Sequence, residues 1–131
     1  MEELWKPIKD FEGLYEVSNF GKVKSCERTI LCKDGKVKHY QAKELKPSSG
    51  KYGRNQYTLS KDGKKYSVRG YRLVAEAFLD NPFNLPEVNH KDGNNYNDRV
   101  DNLEWITHND NVNHALEHEL FNTYQKRFKK I

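Results

Sequence analysis

Two cysteines, one methionine and no long apolar run leave this chain of 131 residues few of the usual means of scaffolding a fold. Cys26 and Cys32 are too few for a disulfide framework and wrongly spaced for a CxxC metal knuckle, so structural zinc is not expected. No window approaches the roughly 18 apolar residues of a membrane span, so no membrane partner is expected. Met1 to Asp10 is charged and aromatic rather than an apolar leader, and the expected compartment is the reducing cytoplasm.

Hydrophobic residues are also scarce, at 35% of the chain with a mean hydropathy of −1.05. The 12% that is aromatic must supply much of a thin core. The length suits one compact domain, or two small modules sharing a core, and one active site. Charge is plentiful and mixed: 23 basic against 19 acidic residues give a net +4, which favours a polyanionic partner met by local patches. The patches are Lys43 to Arg54, the turn with Lys61, Lys64 and Lys65, and the run Lys126, Arg127, Lys129 and Lys130. Each taken alone reads equally well as a solvated surface.

The periodicity predicts an α+β fold. Leu14 to Ser25 alternates apolar and polar residues around Asn19-Phe20-Gly21, a short hairpin. Ile30 to Leu31 and Val37 to Tyr40 flank an Asp34-Gly35 turn, and Gln56 to Ser60 with Lys65 to Arg69 flank Asp62-Gly63, with Tyr57, Leu59, Tyr66 and Val68 as the apolar positions of that third hairpin. Pro47 to Gly50 punctuates the chain between them. Tyr71 to Leu79 has apolar residues at helical spacing and is stopped by Asp80-Asn81-Pro82. Glu87 to His90 reads as a short strand, Lys91 to Arg99 as a polar loop, and Asn102 to Ile106 as a second strand. Thr107 with Asp110 then caps a helix expected to run through at least Glu119. Leu120 to Ile131 either extends this helix or frays.

Within that strand, loop, strand and helix, His90, Asn102 and Asn111 stand in the order His, Asn, Asn. Histidine is mostly neutral at pH 7 and suits proton abstraction. Hydrolysing a phosphodiester needs such a base together with compensation of the charge that develops on phosphorus and on the leaving oxygen. The text Val88-Asn89-His90-Lys91-Asp92-Gly93-Asn94, then Asn102-Leu103-Glu104-Trp105-Ile106-Thr107, then Asn111 and His114-Ala115, resembles the HNH endonucleases of the ββα-metal fold, above all phage intron-encoded homing and free-standing types. Upstream, Trp5-Lys6-Pro7-Ile8, Phe11-Glu12-Gly13, Tyr15-Glu16-Val17-Ser18-Asn19 and Gly21-Lys22-Val23 resemble the small nuclease-associated module that precedes such cores. Arg72-Leu73-Val74-Ala75 with Phe78 resembles the segment that joins the two.

The resemblance implies a nuclease-associated, β-rich DNA-binding module over residues 1–70, an HNH core with its leading helix over 71–119, and a basic tail over 120–131. It makes His90 the general base, Asn102 the brace of the His90 loop, and Asn89 and Asn111 the ligands of one divalent metal, Mg²⁺ or Mn²⁺. The commonest form of the motif has aspartate where this chain has Asn89. A neutral amide oxygen should bind metal more weakly, so Asn89→Asp should strengthen binding. His114 lies one turn beyond Asn111 and His118 another turn on. His114 reads as an extension of the metal site, a phosphate contact, or packing against the loop, whereas His108 reads as surface. Arg72 and Arg99 are candidate phosphate or leaving-group contacts.

The implied partner is double-stranded DNA, inside a phage-infected or bacterial cell. Lys43, Lys46, Lys51, Arg54, Lys61, Lys64 and Lys65 are candidate backbone contacts, and Tyr52, Arg54, Asn55 and Gln56 have the chemistry for groove contacts. With one site per chain a monomer nicks, and a double-strand break takes a homodimer or two events. Longer relatives carry a further C-terminal helical module for which 131 residues leave no room, so specificity would rest on the hairpins and tail. Two rival readings remain: an HNH-fold DNA-binding protein that is catalytically weak or inactive, supported by the neutral Asn89, and an RNA-binding module stacking bases on Tyr40, Tyr52, Tyr57 and Tyr66.

Overall fold

A computed structural model describes residues 1–49 and 53–114. In chain order its strands are β1 (Trp5–Pro7), β2 (Tyr15–Ser18), β3 (Val23–Ser25), β4 (Arg28–Leu31), β5 (Val37–Tyr40), β6 (Lys43–Glu44), β7 (Ser48–Ser49), β8 (Asn55–Lys61) and β9 (Lys64–Arg69). Helix α1 (Gly70–Phe78) follows, then β10 (Glu87–His90), a 3₁₀ turn (Val100–Asn102), β11 (Leu103–Ile106) and the helical residues 108–114, here α2. The fold is α+β, as the periodicity indicates.

The three hairpins form where alternation and turn chemistry put them. Strands β2 and β3 pair with Val17 opposite Val23, both fully buried, and β1 and β6 add to their two edges. Neither edge strand is legible in the sequence, because two or three residues are too few to show a period. Strand β7, inside the segment read as punctuation, likewise pairs with β8. In the β8–β9 hairpin Tyr57 and Leu59 are buried, but Tyr66 is 43% exposed, edge-on to the Phe11 ring. Strands β4 and β5 form a separate ribbon whose Leu31 and Val37 face solvent.

Helix α1 is the keystone of the core. Tyr71, Leu73, Val74 and Ala75 are buried on it, packed among Ile8, Phe11, Tyr15, Val17, Val23, Tyr57, Leu59, Val88 and Leu103. One cluster therefore draws on both the first sheet and the β10–β11 hairpin. The helix stops where Leu79 turns extended, and the Trp105 indole N–H donates to the Leu79 carbonyl at 3.1 Å, satisfying a group the helix leaves open. Both ends of the Asn81 amide bond Leu85 at 2.8 Å and close the connecting loop.

The first hairpin also grips the loop after β10. The Asn19 carbonyl accepts Val100 N–H at 2.9 Å, and the buried Tyr57 hydroxyl donates to the Gly21 carbonyl at 3.2 Å. Burial, then the Asp98 charge, pushes the Tyr57 phenol up to about 12. Gly21 has φ +89°, and a β-carbon there would sit 3.0 Å from the Asp98 side chain. At Gly70 the fit is tighter, since an added β-carbon would lie 2.6 Å from Asp98 Oδ2 and 3.2 Å from the Tyr57 ring.

Gly70→Ala sets two effects against each other. Helix propensity favours alanine by up to about 1 kcal/mol, but overpacking against a buried carboxylate costs about 1–3 kcal/mol. The clash should win, lowering Tm in calorimetric melts; an unchanged or higher Tm would show that the Asp98 niche has room to spare. The pH dependence has a definite sign as well. The Tyr57 pKa is raised from about 10 in the unfolded chain to about 12 in the fold, so its contribution is fully present below pH 10 and is lost as the pH rises toward 12. Melts from pH 8 to 11.5 should show wild type losing more stability than Tyr57→Phe.

Candidate active site

Strand β10 pairs with β11 so that His90 faces Leu103, Asn89 faces Glu104 and Val88 faces Trp105. Side chains alternate along each strand, which separates Val88, His90, Leu103 and Trp105 from Glu87, Asn89, Glu104 and Ile106. Val88, His90 and Leu103 of the first set are buried toward the core, where the Tyr71 ring meets His90 edge-on at 5.2 Å between centroids.

His90 is 6% exposed, and its Nε2 lies 2.8 Å from Asp98 Oδ1. A carboxylate only accepts, so Nε2 carries the proton and the ring's remaining acceptor is Nδ1. The other oxygen, Asp98 Oδ2, accepts from the Asn55 amide at 3.1 Å, and the same amide nitrogen donates to the Tyr96 carbonyl at 3.0 Å. Asp98 was hidden in a polar loop, eight residues from the histidine, where no periodicity marks it.

Asn102 holds that loop closed. Its Oδ1 accepts Asp92 N–H at 3.0 Å, and its amide nitrogen donates to Asp92 Oδ1 and to the Asn97 carbonyl, each at 2.9 Å. Hydrogen bonds from the Asn97 side chain, the Asn94 backbone and Asn102 keep the Asp92 carboxyl below its ordinary range. The brace thus runs through a carboxylate as well as through backbone. The 3₁₀ turn that carries Asn102 ends on the first residue of the span read as strand.

A cleft of about 260 Å³ opens beside the histidine, lined by Arg54, Tyr71, Asn89, His90, Asn111 and His114 among others. Thr107 caps α2 as its spacing indicates, accepting Asp110 N–H at 3.1 Å on its hydroxyl. That start brings Asn111 over β10, where its amide nitrogen donates to Glu87 Oε1 at 3.2 Å. The Asn89 amide donates to Glu104 Oε1 at 2.9 Å. With both amide nitrogens committed to carboxylates, each residue keeps a carbonyl oxygen, the donor type that a hard divalent cation takes. His108 lies on the surface, as expected, and its Nδ1 bonds the other oxygen of Glu87; this bond, with that from Asn111, keeps the Glu87 carboxyl below its usual range. His114 reaches the Lys91 carbonyl at 3.3 Å, so it packs on the loop while lining the cleft.

Several other candidate side chains are held away from the cleft. Arg72 pairs with Glu76, donates to the Pro86 carbonyl and stacks over Trp105, lining a different hollow near Leu79 to Pro86. Arg99 lies over Phe20 at 4.6 Å and pairs with Asp101. Neither lines the cleft. The Asn55 amide nitrogen is committed to Asp98 and Tyr96, and Gln56 bonds Ser67 across the hairpin. Among the described residues the arginine that reaches the cleft is Arg54, whose guanidinium sits 5.4 Å from the Tyr71 ring centre and whose Nε is buried with no hydrogen-bond partner among those residues. Lys43, Lys46, Lys64 and Lys65 are exposed, and Lys61 lies beside Phe11 and donates to the Asp10 carbonyl. Lys51, Tyr52, the end of the helix toward Glu119, His118 and the tail from 120 to 131 lie outside the described residues.

An antiparallel hairpin crossed by a helix, with a histidine and two amides around one cleft, defines the ββα-metal class of nuclease folds. The chain belongs to the HNH endonuclease family. Residues 3–60 match the NUMOD4 motif. The chain is 36% identical over 118 residues to DNA endonuclease I-HmuI of Bacillus phage SP01, across 90% of this chain and 60% of that protein. It is 35% identical over 123 residues to the uncharacterized HNH endonuclease L245 of Acanthamoeba polyphaga mimivirus, across 94% of this chain and 33% of the relative. A solved structure of DNA binding and cleavage by the HNH homing endonuclease I-HmuI aligns with a TM-score of 0.69 at 36% identity, over all of this chain and 67% of the other. The chain thus spans about a third of the mimivirus relative's length.

The tautomer is directly measurable. Long-range ¹⁵N–¹H spectra should show neutral His90 protonated at Nε2, and Asp98→Asn should disturb that pattern; a neutral ring protonated at Nδ1 would contradict the assignment.

Proposed function

We propose that this protein is a metal-dependent endonuclease that nicks double-stranded DNA. The observation that carries the reading is the histidine at the cleft wall, its Nε2 held by a buried carboxylate at 2.8 Å, with Asn89 and Asn111 lining the same cleft.

In this mechanism His90 Nδ1 takes a proton from water as the water oxygen bonds to phosphorus. The bond from phosphorus to the 3′ oxygen breaks, the leaving oxygen gains a proton from solvent, and the products carry 5′-phosphate and 3′-hydroxyl ends. Asp98 stabilises the imidazolium that forms and keeps the ring from rotating. Asn102 holds the loop that carries Asp92 and Asp98, and Tyr71 packs the ring from below. Arg54 neutralises charge on the non-bridging oxygens. Asn89 and Asn111 would hold one Mg²⁺ or Mn²⁺, which when bound supplies Lewis-acid stabilisation of the leaving oxygen.

Residues 1–70 track the duplex and the core from 71 cuts it, with the exposed Lys43, Lys46, Lys64 and Lys65 and the half-buried Lys61 positioning the backbone without reading sequence. Lys51 and the basic residues of the tail from 120 supply further positive charge for a phosphate backbone. The working form is a monomer that nicks, or a homodimer that cuts both strands, inside the cell cytoplasm. A second reading, a binding protein with weak or no catalysis, draws on one feature: the two candidate ligands are neutral amides.

Supercoiled plasmid incubated with Mg²⁺, Mn²⁺ or EDTA separates the two. Nicking should need metal and should vanish in His90→Ala. Because alanine leaves Asp98 buried without its donor, at a cost of about 3–5 kcal/mol, His90→Gln is the matched control that keeps a donor. Equal nicking by wild type and His90→Gln would remove the histidine from the mechanism, and binding without nicking under any metal would favour the second reading. Arg54→Ala should lower the rate of nicking by about 10²–10³-fold, the scale on which losing one transition-state donor acts. A loss confined to DNA affinity would make Arg54 a binding residue alone.

A further inference from the structure

Each of the two amides that line the cleft has a carboxylate behind it. The Asn89 nitrogen donates to Glu104 Oε1 at 2.9 Å across the β10–β11 ladder, and the Asn111 nitrogen donates to Glu87 Oε1 at 3.2 Å from α2. Neither carboxylate lines the cleft itself. We infer that Glu104 and Glu87 are positioning residues, which turn the two amide oxygens toward the cation and place beside them the negative charge that the amides lack. This rests on the reading of Asn89 and Asn111 as metal ligands.

Three observations support the assignment. A carboxylate accepts and cannot donate, so it fixes which end of each amide points away from the cleft. Asn89 is 4% exposed and Glu104 half-buried, so solvent screens their contact less than it would a surface pair. The register sets Glu104 directly opposite Asn89, a non-local contact that the strand pairing enforces. Outer groups that orient metal ligands in this way change affinity by about 10–100-fold when removed.

Charge and orientation separate in a double-mutant cycle. Asn89→Asp alone sets a carboxylate against the Glu104 carboxylate and loses the orienting donor. Its gain in metal affinity is complete only when Glu104→Gln restores a donor across the ladder. Mn²⁺ binding is read from the electron paramagnetic resonance of the free ion, on the protein alone and on its complex with a short duplex in the His90→Gln background, which keeps the DNA intact. Glu104→Gln and Glu104→Ala should weaken Mn²⁺ binding about fivefold and tenfold or more, Glu87→Gln by a similar step, with melts confirming the fold. With Asn89→Asp, Glu104→Gln should leave affinity unchanged or raise it. An equal loss in both backgrounds, or wild-type affinity in folded Glu104→Ala, overturns the positioning role. Unchanged affinity in Asn89→Ala and Asn111→Ala instead overturns the metal-ligand reading together with it.

Discussion

Burying the Asp98 carboxylate in so small a core costs several kcal/mol unless its oxygens are met by donors, and the arrangement of the protein follows from meeting them. His90 supplies one donor from β10 and Asn55 the other from β8. Gly21 and Gly70 leave the space beside it, one in a hairpin turn and one at the start of α1. A single charged group thus ties the first sheet, the third hairpin, the central helix and the candidate active site to one another. The same contact that orients His90 would be lost if those elements shifted apart.

The candidate site's charge is arranged in layers. Nearest the cleft are neutral amides, the histidine ring and the guanidinium of Arg54; the carboxylates of Asp98, Glu87 and Glu104 sit one step behind them. A polyanion approaching the cleft meets a cation and neutral groups before it meets a negative one. For a partner whose every residue carries a phosphate, that ordering lowers repulsion at contact and keeps the acids available to tune the groups in front.

What could be read from the sequence was whatever local chemistry specifies. Alternation with Asn-Phe-Gly and Asp-Gly turns marked the hairpins, helical spacing marked α1, and Thr107 marked the start of α2. His90, Asn102 and Asn111 were legible because their spacing follows from a hairpin and a capped helix. Asp98, Tyr71 and the pairings of Glu104 and Glu87 were not, since each depends on which distant segment folds against it. Arg54 was legible as a cation but not as a lining of the cleft, and the directions taken by Arg72 and Arg99 were hidden for the same reason. A basic side chain near a motif in sequence says nothing about the direction it takes in space.

Strand alternation has a last consequence at β10 and β11. Val88 and Leu103 are buried on the face that also carries His90, while Asn89 and Glu104 share the other. A slip of one residue between these strands would expose Leu103 or Val88 and at the same time part Asn89 from Glu104. The aliphatic core therefore works as a proofreader for the polar chemistry: a hairpin that zips out of step is rejected by water before it can present a misaligned cleft. Substitutions that thin this small core would then be felt first as a loss of alignment, in molecules that are still folded.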